Sequence, residues 1–158
     1  MRVKSRLKII AVIACVFFAF PQKVKATEIE TIYYVTHDEE TGEEVEQREE
    51  FEFYGQFSAE EKALVLFSNL FGNTEKYQIA TENVKILNIA MVENCLHLNV
   101  SEDIRSYGGG NAYERLLRRK IVKTAIHIKN VDSITLLIDG VSTHLPEGTL
   151  IFRETNSS

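Results

Sequence analysis

Apolar positions along the chain switch between alternate and helical spacing, and each switch marks an element. Thr31-Ile32-Tyr33-Tyr34-Val35-Thr36 is β-branched and aromatic, and Glu50-Phe51-Glu52-Phe53-Tyr54 alternates charged with aromatic residues, so both predict strands. The polar stretch between them, with Thr41-Gly42 as the turn, makes them a long hairpin. Ser58-Ala59-Glu60-Glu61 has the form of a capping box, in which Ser and Glu satisfy free amides at a helix start. Leu64, Phe67, Leu70 and Phe71 follow at helical spacing, and Gly72 suits the helix end. Val84–Val92 and Cys95–Val100 predict two strands joined by the two-residue turn Glu93-Asn94. A polar connection, 101–107, leads through Gly108-Gly109-Gly110 into a long helix capped by Asn111 and Glu114 and running to about Lys129. Leu117, Ile121, Thr124 and Ile128 form its inner stripe, widened by Leu116, Val122 and Ala125. Val131–Ile138 predicts a strand closed by Asp139-Gly140, and Thr149–Arg153 a last edge strand.

Composition adds little until it is divided. The 158 residues are 44% apolar and 26% charged, with a net charge of −5, ordinary for one globular domain. Two cysteines are too few for a disulfide framework. Residues 1–26, however, carry six bases and no acid, residues 27–61 thirteen acids against Arg48, and residues 62–158 a balance near zero. Such a distribution excludes a basic nucleic-acid binder and a multi-span membrane protein. The basic Met1–Lys8, the charge-free apolar run Ile9–Phe20, Pro21 and Val24-Lys25-Ala26 follow the order of a signal peptide. Two alternatives stay open: an uncleaved anchor, and lipidation at Cys15 in Val12-Ile13-Ala14-Cys15. All three place the remainder outside the cytoplasm. Cleavage after Ala26 leaves 132 residues, enough for one core, with Cys95 as a small core thiol. The expected organisation is therefore a leader at 1–26, an acidic β-hairpin extension at 27–57, an α/β domain at 58–153 and a tail at 154–158.

Candidate chemistry is sparse. The glycine triplet before a helix lacks the Lys-Ser/Thr that completes a phosphate loop, so it reads as a turn. His37, His97, His127 and His144 show no metal-ligand spacing, and no Gly-x-Ser-x-Gly elbow is present. The acids from Asp38 to Glu50 lack the ligand order of a calcium loop, which makes them a solvated hairpin. No catalytic residue, metal site or cofactor site is expected. One polar feature stands out: Arg115, Arg119 and Lys123 recur every four residues on a single helix face, with Arg118 beside them. Such a face is either merely solvated or docks to an acidic surface, on a partner protein or on a second copy's hairpin.

Leu98-Asn99-Val100-Ser101, Tyr107-Gly108-Gly109-Gly110-Asn111-Ala112 with Glu114, and Ile134 to Asp139-Gly140 resemble, in order and spacing, the GerMN domain family of sporulation and germination. The resemblance covers roughly residues 58–145. It implies a small α/β (α+β) domain with two helices packed on one face of a small mixed sheet, similar to ring-building modules. For Gly108, Gly109, Gly110, Glu114, Asp139 and Gly140 it implies a structural rather than a catalytic role. It also implies an extracytoplasmic module, close to the membrane or between mother cell and forespore, that helps assemble an envelope complex. The expected partners are then envelope or sporulation-complex proteins, or the chain itself. The alternative is a domain that binds a cell-wall ligand, peptidoglycan or a cation, with the acidic hairpin as its lid.

Overall fold

The computed structural model describes residues 28–38, 40–108 and 110–155. The leader at 1–26, with Cys15, the central glycine Gly109 and the tail's last three residues lie outside the described residues. Strands β1 (Glu28–His37) and β2 (Glu44–Phe53) pair antiparallel from Glu28 opposite Phe53 to His37 opposite Glu44, forming the expected hairpin. Its tip is an Asx turn: Asp38 Oδ1 accepts the amides of Glu40 and Thr41, and Gly42 takes a φ of +70°.

Helix α1 (Ala59–Gly72) starts at the predicted capping box, where Glu61 N–H donates to Ser58 Oγ and Ser58 N–H donates to the Glu61 carboxylate. It buries Ala63, Leu66, Phe67, Leu70 and Phe71; Leu64, expected among the inner positions, points outward instead. A one-turn helix, α2 (Thr74–Tyr77), leads into β3 (Ile86–Val92). Antiparallel β4 (Cys95–Val100) follows through Glu93-Asn94, both with positive φ as a tight hairpin demands. The connection 102–105 is a short 3₁₀ turn. Helix α3 (Gly110–Ile126) then crosses over to β5 (Ser133–Ile138), which lies parallel to β4. The sheet order is β3-β4-β5, mixed and three-stranded.

The two long helices touch this sheet, α1 at β3 and α3 at β5, and both also meet β1. One core results. Leu96, Leu98 and Val100 from β4, Leu117 and Ile121 from α3, Leu66 and Leu70 from α1, and Ile32 from the hairpin are all inaccessible to solvent.

Two expectations need correction. Residues 149–153 do not form a strand: Arg153 turns to a φ of +50°, which breaks an extended ladder. The segment pairs with β5 only at points, through the amide of Leu136 to Ile151 O and a bridge between Ile134 and Glu154. Glu114 does not cap α3 either; it lies a turn inside the helix and is fully buried.

Candidate functional site

The basic face of α3 meets β2 of its own chain. Arg115 forms a forked pair with Glu44. Arg119 Nη2 donates to Glu46 Oε2 at 2.8 Å, and Lys123 Nζ reaches the same oxygen at 2.7 Å. The match is geometric: bases one helical turn apart face alternate residues of a strand, which share a side. The Arg115 guanidinium holds the Glu44 carboxyl below its ordinary range, and Lys123, assisted by Arg119, does the same for Glu46. Arg118 pairs instead with Glu154 beyond β5. The face that the sequence offered to a partner is thus engaged within the molecule.

Other contacts make the hairpin part of the body. Tyr33 N–H donates to Thr124 Oγ1 at 3.0 Å, and the Tyr33 ring lies 4.3 Å from that of His127. Lys62, 2% exposed, sits under β1 with Glu30 at 2.9 Å and Glu28 beside it. Burial alone pulls the Lys62 pKa down, and the two carboxylates outweigh it and raise it. Glu28 also takes Lys129 at 2.8 Å, and Lys129 and Lys62 together depress its pKa to about 2.

The second cluster centres on Glu114. Its carboxylate accepts the amides of Glu147 at 2.6 Å and Thr149 at 3.2 Å, and the Tyr107 hydroxyl donates to it as well. Burial pushes this carboxyl up, but bonds from Thr149, Tyr107 and the Glu147 amide prevail and keep it below the ordinary range. Gly108 and Gly110 lie at the helix entrance, where Gly110 adopts φ +60°. Asp139 and Gly140 form the turn after β5, with Gly140 N–H donating to Asn99 Oδ1 at 2.8 Å. Glu114 and the Asp139-Gly140 turn therefore brace loops; they do not converge on one pocket.

Lys120 was not foreseen. It is 2% exposed and donates to the carbonyls of Tyr77 and Gln78, closing the end of α2, and burial lowers its pKa to about 8. The signal was a lysine between Leu117 and Ile121 on the apolar stripe. Among the described residues, no group of three or more His, Cys, Asp or Glu could hold a metal ion, and no helix is long and apolar enough to cross a membrane.

Residues 31–144 match the family Germane, described as sporulation and spore germination. The chain belongs to that family. The match begins in β1, so it takes in the hairpin as well as the segment that resembled GerMN domains. Among solved structures, the first GerMN domain of the sporulation protein GerM from Bacillus subtilis is similar with a TM-score of 0.60 at 14% identity, covering 84% of this chain and 100% of that one. The tandem GerMN domains of the same protein give a TM-score of 0.54 at 18% identity, over 74% of this chain; this chain spans 40% of theirs. A candidate lipoprotein from Clostridium perfringens gives 0.53 at 17% identity, over 80% of this chain and 85% of its own. No curated protein matches. At these identities the structural likeness establishes the fold, and the Germane domain here is a small α+β unit of that kind.

Proposed function

We propose that this Germane domain is an exported, non-catalytic assembly module of sporulation or germination, docking with envelope proteins or with itself. The observation that carries the reading is the family match over residues 31–144, joined to a fold that covers the whole of a GerMN domain from a sporulation protein. Export rests on the leader-like pattern of residues 1–26, held to the same side by any of its three variants. Against the wall-ligand alternative, the hairpin's Glu28, Glu44, Glu46 and Glu49 carboxylates are already matched by Lys or Arg, which leaves that lid poorly suited to a cation.

Crosslinking of the tagged protein in producing cells, with membrane and soluble extracytoplasmic fractions read side by side, tests this. Discrete adducts to envelope proteins or a ladder of self-adducts is the expected result. Protein confined to the cytoplasm, or free of adducts in both fractions, would remove the assembly reading.

A further inference from the structure

A groove of 320 Å³ runs between the first turns of α1 and the start of β3, and its lining has two unlike parts. Leu64, Leu87 and Ile89 are the apolar part, with Leu64 and Leu87 each about half exposed. Glu60 and Glu61, in the first turn of α1, are the acidic part, and no Lys or Arg lines the groove. Glu61 gives one oxygen to the Ser58 amide as the helix cap, whereas Glu60 has no partner among the described residues. The floor of the groove is a strand edge. Among the described residues, no group bonds to the outer side of the β3 backbone, and Ile86–Val92 holds neither charge nor proline to defend it.

We infer that this groove takes an extended segment of a partner protein, paired along β3, that carries a basic and an apolar side chain on one face. Charge selects this occupant. A second copy would bring two more carboxylates and, from Ile86–Val92, no base to meet them. A wholly apolar strand would cover the carboxylates without pairing them, and burying an unpaired charge is costly. A segment with a base satisfies both parts of the lining. Spacing agrees with this choice. Glu60 and Leu64 are one helical turn apart, about 6 Å along the axis. Alternate residues of a strand share a face and stand about 6.7 Å apart. A base at one position and an apolar residue two along can therefore meet Glu60 and Leu64 together. The backbone ladder supplies attraction without regard to sequence, and the groove supplies the choice.

For its role in the cell this inference rests on the assembly reading, and it names the chemistry of one partner segment. The test is amide NMR of the isotope-labelled full chain in non-ionic detergent, titrated with the blocked peptide Thr-Val-Thr-Lys-Thr-Val-Thr. The amides of Ile86–Val92 are expected to shift and to exchange more slowly, with a dissociation constant that rises with salt. Glu in place of the peptide's Lys, or Glu60→Lys in the protein, should raise that constant roughly tenfold. Combining the two exchanges should restore much of the affinity, and circular dichroism should show the variant folded. Methylating alternate peptide nitrogens removes ladder donors and should abolish binding. A peptide that leaves the β3 amides unmoved at millimolar concentration, or that binds equally with Glu for Lys, overturns the inference. Slow exchange of these amides before peptide is added overturns it as well. It would assign the groove to this chain's own residues 1–26 or, where it grows with protein concentration, to a second copy. None of these outcomes touches the assembly reading, which is judged by the adducts formed in cells.

Discussion

Glu114 is a buried carboxylate whose work is to hold a loop. Its oxygens accept two amides from 147 and 149 and the Tyr107 hydroxyl, so they replace water for three groups on two separate segments. Removing one member of such a set leaves buried donors unpaired, which costs more than the net value of each bond. Glu114→Ala should lower unfolding stability by about 3 kcal/mol in urea titration, with Glu114→Gln intermediate. A loss below about 0.5 kcal/mol would mean that water takes over the bonds. The sequence marked this residue but misjudged its task. An acid near a helix start reads locally as a cap, and its real partners lie 33 and 35 residues away, beyond any local pattern. Lys62 and Lys120 were obscure for a related reason: hydrophobic periodicity has no way to show a cation satisfied by distant carboxylates or carbonyls.

At the scale of elements, the hairpin and α3 act as one body. Both were legible separately, down to the turn at Thr41-Gly42 and the repeat of Arg115, Arg119 and Lys123. What the sequence left open was which acidic surface meets that face. Spacing in fact favoured β2, since Glu44 and Glu46 share a strand face and their bases share a helix face. Exposed ion pairs are weak singly, so reversing all three bases to Glu should lower the urea midpoint modestly, chiefly through repulsion from Glu44 and Glu46. Hydrogen exchange should show amide protection falling in β1 and β2 before it falls in β4. Adding Glu44→Lys and Glu46→Lys should restore much of it. Unchanged hairpin protection in the triple variant would show that Ile32, Val35 and the Tyr33–Thr124 bond hold the hairpin alone. The strand expected at 149–153 failed at this scale too: its β-branched and aromatic residues promised a ladder, and one left-handed residue, Arg153, interrupts it.

For the whole molecule, the depressed carboxyls set the response to acid. Glu28, with a pKa of about 2 against an ordinary 4.5, and Glu44, Glu46, Glu49 and Glu114, also held low, bind fewer protons folded than unfolded. Their stabilisation is therefore complete above about pH 5 and is lost progressively as pH falls toward 2. Lys120 works at the other end. Its folded pKa of about 8 lies below the ordinary 10.5, so between those values the unfolded chain binds the extra proton, and this group's contribution to stability rises with pH. Urea midpoints should fall from pH 6 to pH 3. Between pH 8 and 10, the Lys120→Met variant should lack an upward component that the parent has. Equal slopes for parent and variant would show that Lys120 titrates normally. The fold class was legible because periodicity, turns and caps agreed along the chain. The packing of the hairpin onto the helices was not, because it depends on long-range charge pairing and on two apolar residues, Ile32 and Val35, whose burial no local pattern shows.

The finished flank of the three-stranded sheet has a bearing on growth. Residues 151–154 and Val141 occupy every outward amide of β5 at Ile134, Leu136 and Ile138, so that side can accept no further strand. Among the described residues, only the β3 flank of this sheet is left without a neighbouring segment. Monovalent units joined by a twofold contact stop at two, whereas units with both flanks open polymerise into fibres. Any ring or longer array of this domain must then grow through a surface other than the β5 flank.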